Sequence, residues 1–155
     1  MNDGSKTLTV LVADDDDDDR SLIRKAWGKG GLSNDLSFVE DGEELTQYLN
    51  HLGRYSNPAS APRPAVILLD LNMPRKDGRE ALREIKADPK LRQIPIVVLT
   101  TSQGDEDIRG SYELGASSFI TKPVTFGTLV DVLKVVSQYW TEVVHLPQGV
   151  YRTMN

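Results

Sequence analysis

The apolar residues of this chain follow two alternating patterns. Five short segments are dense in aliphatic and β-branched residues, which is typical of strands buried within a sheet. Elsewhere apolar residues recur every three or four positions, as on one face of a helix. The predicted strands are residues 8–13, 36–40, 66–69, 94–100 and 117–121, and the apolar positions of the predicted helices lie within residues 22–27, 45–52, 79–87, 105–114 and 125–140.

This alternation of strand and helix predicts an α/β fold. The expected arrangement is a parallel sheet with helices on both faces, joined by right-handed crossovers. At 155 residues the chain is long enough for one domain with a full core. We expect a flexible segment at residues 1–7, the domain at residues 8–140 and a carboxyl-terminal extension at residues 141–155. We assign no function to the loop at residues 53–64.

Composition narrows the class of protein. The chain has 18 basic and 23 acidic residues, a net charge of -5, which argues against non-specific nucleic-acid binding because that needs a basic surface. The absence of cysteine excludes disulfides, thiolate metal sites and cysteine nucleophiles. No apolar segment approaches the roughly 18 residues that span a bilayer, and no signal-peptide pattern is present. We therefore expect a cytoplasmic protein that binds neither nucleic acid nor membranes.

Polar side chains follow several of the predicted strands at the point where each strand ends. In a parallel sheet the carboxyl ends of all strands lie at the same edge, which is where open α/β sheets bind ligands. Three carboxylates, a hydroxyl and an ammonium are expected to meet at this edge. They belong to Asp14, Asp15, Asp70, Thr100 and Lys122.

This combination of groups indicates a metal-assisted reaction. Clustered carboxylates do not all stay ionised without a nearby cation. Their ligands are all oxygen, which favours Mg²⁺ first and Mn²⁺ second. A calcium loop starting at Asp14 is excluded, because its sixth and twelfth positions hold Asp19 and Lys25 instead of Gly and Glu. A cation, a hydroxyl and a lysine suit phosphoryl transfer, with Asp70 as the nucleophile that becomes an aspartyl phosphate.

These residues, in this order and at this spacing, resemble the receiver domain of two-component response regulators. The resemblance covers about residues 8–140 and implies a flavodoxin-like fold, a three-layer sandwich with five strands in the order 2-1-3-4-5 and five helices. The loop at 53–64 and the tail after residue 139 are similar to single-domain regulators that partner bacterial phytochrome kinases. The motifs that carry the family resemblance are Asp14-Asp15, Asp70-Leu-Asn-Met-Pro-Arg-Lys-Asp-Gly78, Thr100 and Lys122-Pro123.

The resemblance implies a role for each site residue. Asp70 is expected to accept the phosphoryl group, and Asp15 to bind Mg²⁺ directly. Asp14 is expected in the metal site, often acting through water, and the main-chain carbonyl of Asn72 completes the metal shell. In the same family the lysine at the position of Lys122 pairs with the phosphoryl group.

Three further expectations come from the same resemblance, and a fourth comes from a departure from it. Thr100 matches the hydroxyl that swings toward the phosphoryl oxygen, and the Lys122–Pro123 peptide bond is expected to be cis. Phe119 is at the position of an aromatic residue that turns inward on activation, although a plain core position is the alternative. The acidic run at residues 16–19 departs from the family pattern, and we expect it to raise the affinity for cations.

The last predicted helix has more apolar surface than one buried face requires. Its core-facing stripe is expected to be Phe126, Leu129, Val130, Leu133, Val136 and Trp140, and a second, displaced stripe consists of Val132, Val135, Tyr139 and Val143. A second stripe on a terminal helix suggests a partner. We expect a homodimer through this face, and the alternative is that the tail at residues 143–146 folds back and covers it.

Three functions are compatible with the sequence. The first is a signalling receiver that takes its phosphoryl group from a sensor histidine kinase, signals by protein contact without a DNA-binding output domain, and catalyses at most its own slow dephosphorylation. The second is a phosphatase of the haloacid-dehalogenase type, which needs a second aspartate two residues after Asp70, where this chain has Asn72. The third is a pseudo-receiver that binds partners without phosphorylation. The first is favoured because the whole acceptor site is present.

Overall fold

A five-stranded sheet forms the centre of the protein. In the computed structural model, which describes residues 6–147 and 152–153, the strands are β1 (Thr9–Ala13), β2 (Asp35–Val39), β3 (Val66–Leu69), β4 (Ile96–Thr100) and β5 (Ser118–Thr121). All neighbouring strands are parallel, in the order β2-β1-β3-β4-β5. The predicted fold class and strand order are therefore confirmed.

Five helices connect and follow the strands. They are α1 (Asp17–Lys29), α2 (Gly42–Leu49), α3 (Gly78–Ala87), α4 (Asp105–Leu114) and α5 (Phe126–Gln138). Four of them begin at a side-chain cap that accepts a hydrogen bond from the first turn, which satisfies a main-chain N–H that has no helical partner. These caps are Asp16, Asp41, Asp77 and Thr125.

Side chains alternate between the two faces of the sheet, as the two-residue period of a strand requires. In β1, for example, Leu11 and Ala13 pack toward α2 and α3, whereas Val10 and Val12 pack toward α1 and α5. The strands β1, β3 and β4 are buried throughout. The result is a three-layer structure with an apolar core on each side of the sheet.

The end of the last helix differs from the prediction. The α-helix stops at Gln138 and one wider turn follows at Tyr139–Val143. Asn34 stabilises this junction, because its side-chain amide donates hydrogen bonds to the hydroxyls of Ser137 and Thr141. The prediction that Phe126 faces the core is wrong: its side chain, at the first position of the helix, is 40% exposed.

Short strands lie at both ends of the chain. Lys6–Thr7 pairs with Arg152–Thr153 in an antiparallel ladder apart from the main sheet. Most of the segment predicted to be flexible, residues 1–5, lies outside the described residues, as do 148–151 and 154–155. Within the described ranges, none of the helices is both long and apolar enough to cross a bilayer.

Candidate functional site

Asp70 lies directly after β3, at the carboxyl edge of the sheet. Its side chain is buried, and both carboxylate oxygens accept hydrogen bonds. Oδ1 accepts from the hydroxyl of Thr100 at 2.9 Å and from the main-chain N–H of Asn72 at 3.1 Å, and Oδ2 accepts from the ammonium of Lys122 at 2.9 Å. Three of the groups predicted to meet at this edge, those of Asp70, Thr100 and Lys122, are therefore in direct contact.

The loop after Asp70 is closed by the start of α3. The main-chain N–H of Gly78 donates to the carbonyl of Leu71 at 2.9 Å. Asp77 caps the helix by accepting from the main-chain N–H of Glu80 at 3.1 Å. The Asp-Gly pair at 77–78 thus ends the loop and starts the helix, which holds the chain on either side of Asp70 in a defined conformation.

Lys122 contacts three carboxylates. Its Nζ lies 2.8 Å from Asp14 Oδ2, 2.7 Å from Asp19 Oδ2 and 2.9 Å from Asp70 Oδ2. Burial by itself would lower the pKa of the ammonium, but the hydrogen bonds to these three carboxylates outweigh burial and raise the pKa above its ordinary value. Lys122 therefore stays charged at any physiological pH.

The peptide bond between Lys122 and Pro123 is trans, as are all the peptide bonds of the described residues. The expectation of a cis bond is wrong for this structure. Trans is the lower-energy form of a bond before proline, by roughly 0.5–1 kcal/mol. The contacts of Lys122 with Asp70 and Asp14 form without the cis isomer.

Asp14 and Asp15 complete an oxygen-rich cluster beside Asp70. One carboxylate oxygen from each of these three residues lies within 4.8 Å of the others. Burial raises the pKa of the Asp14 carboxyl, and the charge of Asp70 adds to the rise, although Lys122 and the main-chain N–H of Asp16 act in the opposite direction. A divalent cation relieves such crowding, and all-oxygen donors suit a hard ion. The cluster therefore fits a divalent metal.

Other members of the acidic run have separate contacts. Asp16 caps α1, accepting a hydrogen bond from the main-chain N–H of Asp19 at 3.0 Å, and the carboxylate of Asp17 pairs with Arg20. Arg20 is buried, and its guanidinium also donates to the main-chain carbonyl of Asp14 at 2.8 Å. No role for Arg20 and no separate role for Asp19 was predicted from the sequence. Their position in the first turn of α1, close after the first strand, was the available signal.

Two residues of the predicted site, Asn72 and Phe119, contribute no side chain to the carboxylate cluster. Asn72 is exposed, and its described contact with the site is the main-chain hydrogen bond to Asp70. Phe119, in β5, is half-buried and packs against the core between the sheet and helices α2 and α3. The structure thus places Phe119 against the core, and its predicted movement remains a prediction.

The comparisons with known proteins agree with this geometry. Residues 10–134 match the response regulator receiver domain family. The response regulator Rcp1 of Synechocystis sp. is 38% identical over 138 residues, which is 89% of this chain and 92% of that protein.

Two solved structures are similar over nearly the whole domain. The phosphorylated cyanobacterial phytochrome response regulator RcpA is 39% identical, with a TM-score of 0.83 over 92% of this chain and 99% of that chain. The Mn²⁺-bound form of response regulator Rcp1 is 37% identical, with a TM-score of 0.80 over 90% of this chain and 99% of that chain.

Proposed function

The chain belongs to the response regulator receiver domain family, and we propose that Asp70 is the residue that accepts the phosphoryl group. As a response regulator, the protein has a sensor histidine kinase as its partner. The observation that carries the assignment of Asp70 is its bonding: the ammonium of Lys122 and the hydroxyl of Thr100 both donate to its carboxylate, at 2.9 Å.

The surroundings of Asp70 suit attack on a phosphorus atom. One carboxylate oxygen forms the new bond to phosphorus, while the bond between phosphorus and the histidine nitrogen of the kinase breaks and its electron pair stays with the imidazole. The ammonium of Lys122 neutralises charge on the phosphoryl oxygens. The hydroxyl of Thr100 is within reach of the same group and exchanges its bond with Asp70 for one with a phosphoryl oxygen.

We propose Mg²⁺ as the resident cation, with Mn²⁺ as a substitute. Asp15 and Asp70 bind it directly, Asp14 contributes to the site, and the main-chain carbonyl of Asn72 completes the set. The three clustered carboxylates support this proposal, and so does the Mn²⁺-bound form of the relative Rcp1. When bound, the cation neutralises charge that develops on the transferred group.

Incubation with acetyl phosphate and Mg²⁺, followed by intact-mass spectrometry, tests the assignment. We expect a single phosphoryl adduct that is lost in Asp70→Asn, whose side chain keeps the shape of the aspartate. Continuous turnover of acetyl phosphate would instead favour a phosphatase. The absence of both a phosphoryl adduct and beryllofluoride binding would favour a pseudo-receiver. An adduct that persists in Asp70→Asn would exclude Asp70 as the acceptor. The only reaction that we propose the protein to catalyse is the slow hydrolysis of its own aspartyl phosphate.

We further propose that the partner kinase is a bacterial phytochrome and that the receiver domain spans residues 8–140. The similarity to RcpA, a cyanobacterial phytochrome response regulator, supports the kinase class. A cytoplasmic location agrees with a cytoplasmic kinase domain as donor. Phosphoryl transfer from a panel of sensor kinases to this protein is the test. We expect rapid labelling by a phytochrome kinase and slow labelling by the other kinases. The reverse order of rates would exclude this partner.

The protein is also proposed to form a homodimer through the second apolar stripe of α5 and the turn that follows. Val135, Tyr139 and Val143 are 65%, 47% and 64% exposed, and Val132 is half-buried against the core. As far as residue 147, the tail does not cover these apolar side chains, because Leu146 packs instead against Leu8 and Ala65. Exposed apolar side chains in one patch favour association.

Activation is proposed to act through Thr100 and Phe119. Thr100 leaves its bond with Asp70 when the phosphoryl group arrives, and Phe119, in the neighbouring strand β5, repacks in response. The direct bond between Thr100 and Asp70 supports the first step. The register of β5 against β4, in which Phe119 lies opposite Val98, supports the second because it places the ring two residues from Thr100 across the strands.

A further inference from the structure

All three N–H donors of the Lys122 ammonium are in use. An ammonium has three such donors, and Nζ lies 2.8 Å from Asp14 Oδ2, 2.7 Å from Asp19 Oδ2 and 2.9 Å from Asp70 Oδ2. A phosphoryl oxygen that arrives on Asp70 therefore finds no free donor on Lys122. One of these three hydrogen bonds must break before the ammonium can bind the new group.

Asp19 is the carboxylate that leaves at the lowest cost. Its side chain is 35% exposed, whereas those of Asp14 and Asp70 are 2% and 8% exposed. Water solvates a released Asp19, whereas a released Asp14 would remain buried away from water, which is costly for a charged group. Asp14 is also fixed by the main-chain N–H of Asp16, which donates to its Oδ1 at 2.9 Å.

We propose that Asp19 is a displaceable partner of Lys122, which occupies the ammonium before phosphorylation and is replaced by a phosphoryl oxygen afterwards. The inference rests on the proposed phosphorylation of Asp70. Two effects act in the same direction. Displacement breaks one charge-assisted hydrogen bond, and the negative charge of Asp19 repels an anionic phosphoryl donor. Asp19 therefore slows the phosphorylation of Asp70.

The rate of phosphorylation by acetyl phosphate measures this effect, because the small donor needs no protein docking. A carboxylate oxygen of Asp70 bonds to phosphorus while the bond from phosphorus to the acetate oxygen breaks with its electron pair, and acetate leaves. Asp19→Asn removes the charge of Asp19 and keeps its size. The matched control is Asp18→Asn, since Asp18 is exposed in the same first turn of α1 and forms no hydrogen bond or ion pair with Lys122 among the described residues.

We expect Asp19→Asn to be phosphorylated about fivefold faster than Asp18→Asn, the size of effect that one partly exposed ion pair can have. Asp19→Glu, which keeps the charge, should stay near the wild-type rate. Equal rates for the two asparagine variants, or a slower Asp19→Asn, would overturn the proposal. A role of Asp19 in folding alone predicts no faster phosphorylation in any variant.

A structure of the beryllofluoride complex provides a second test. Beryllofluoride bound to Asp70 has the shape of a phosphoryl group, so we expect Asp19 Oδ2 to lie more than about 4 Å from Lys122 Nζ, beyond ion-pair distance. If Asp19 keeps its contact with Lys122 in the beryllofluoride complex, the proposed displacement is wrong. If the wild type neither accepts a phosphoryl group nor binds beryllofluoride, the proposed function fails as well. If the wild type does both, only the Asp19 inference is at stake.

Discussion

Gly78 lies against the main chain of Asp70. A Cβ built on Gly78 would be 2.2 Å from the carbonyl oxygen of Asp70 and 2.7 Å from Cα of Leu71. Real side chains do not approach backbone atoms this closely, so any other residue at 78 must push the loop after Asp70 outward. The glycine of the Asp-Gly pair is needed because α3 starts in contact with the segment that presents the acceptor.

Gly78→Ala should therefore destabilise the protein and slow phosphorylation. Overpacking of this kind costs about 1–3 kcal/mol, and a displaced Asp70 loses its alignment with Lys122. Urea unfolding and the acetyl phosphate rate measure the two effects. The control is Gly127→Ala, where an added Cβ meets nothing within 4 Å and alanine should stabilise α5 by about 0.5–1 kcal/mol. Unchanged stability in Gly78→Ala would contradict the close approach.

Removal of the Lys122 charge should leave Asp14 and Asp70 buried without a cation. Lys122→Met is expected to lower the free energy of unfolding by about 3 kcal/mol without divalent metal. Millimolar MgCl₂ should restore part of the loss, because an ion that binds only the folded state stabilises it. Lys134→Met, on the exposed face of α5, is the control. Similar urea midpoints for the two variants would show that Lys122 is not needed to offset these charges.

Metal affinity should depend on the clustered carboxylates more than on the rest of the acidic run. Asp15→Asn removes a member of the cluster and should weaken Mn²⁺ binding by at least about tenfold. Asp16→Ala and Asp17→Ala change residues that cap α1 and pair with Arg20, so only a small, salt-dependent loss of affinity is expected. Titration of Mn²⁺ followed by electron paramagnetic resonance measures all three. A loss of Mn²⁺ affinity in Asp16→Ala as large as that in Asp15→Asn would contradict this prediction and would indicate that Asp16 is also a metal ligand.

Glu44 should make stability depend on pH in the acid range. Burial alone would raise the pKa of Glu44, but hydrogen bonds from the Tyr55 hydroxyl and the Glu40 main-chain N–H, together with Arg54, lower it below the ordinary value of 4.5. Since the folded protein favours the carboxylate, this contribution is present above pH 4.5 and is lost as the pH falls through the lowered folded value.

Glu44→Gln tests this dependence. At neutral pH we expect the variant to be about 1 kcal/mol less stable than the wild type, the usual net contribution of one intramolecular hydrogen bond. The difference should shrink as the pH falls below 4.5. Glu43→Gln, at a more exposed position of the same helix turn, is the matched control. A constant difference between Glu44→Gln and the wild type across the acid range would contradict the prediction.

The homodimer can be tested at the centre of its apolar patch. Val135→Glu places a charge where two copies are proposed to meet. In sedimentation velocity experiments at tens of micromolar, the wild type should therefore sediment as a dimer and the variant as a monomer. Val124→Glu is the control, because Val124 is fully exposed at a site away from the patch. A wild type that sediments as a monomer at that concentration would exclude the proposed dimer.

The sequence alone was enough to predict the fold and most of the site. The buried strands β1, β3 and β4 have continuous apolar runs, because both of their faces pack against helices. Parallel strands end at one edge, so the residues at the carboxyl ends of β3, β4 and β5 had to lie along that edge. Asp70, Thr100 and Lys122 were therefore predictable as a group, as was Asp14 beside them.

The tertiary structure decided which of several similar groups make each contact. Six consecutive aspartates follow β1, and no pattern in that run distinguishes Asp19, whose carboxylate binds Lys122, from Asp18, which is exposed. The direction of each side chain depends on where α1 begins and on how it packs against α5. The exposure of Phe126 was likewise decided by packing. Strand and helix periods are local properties of a chain, whereas these contacts join residues that are distant in sequence and meet only after folding.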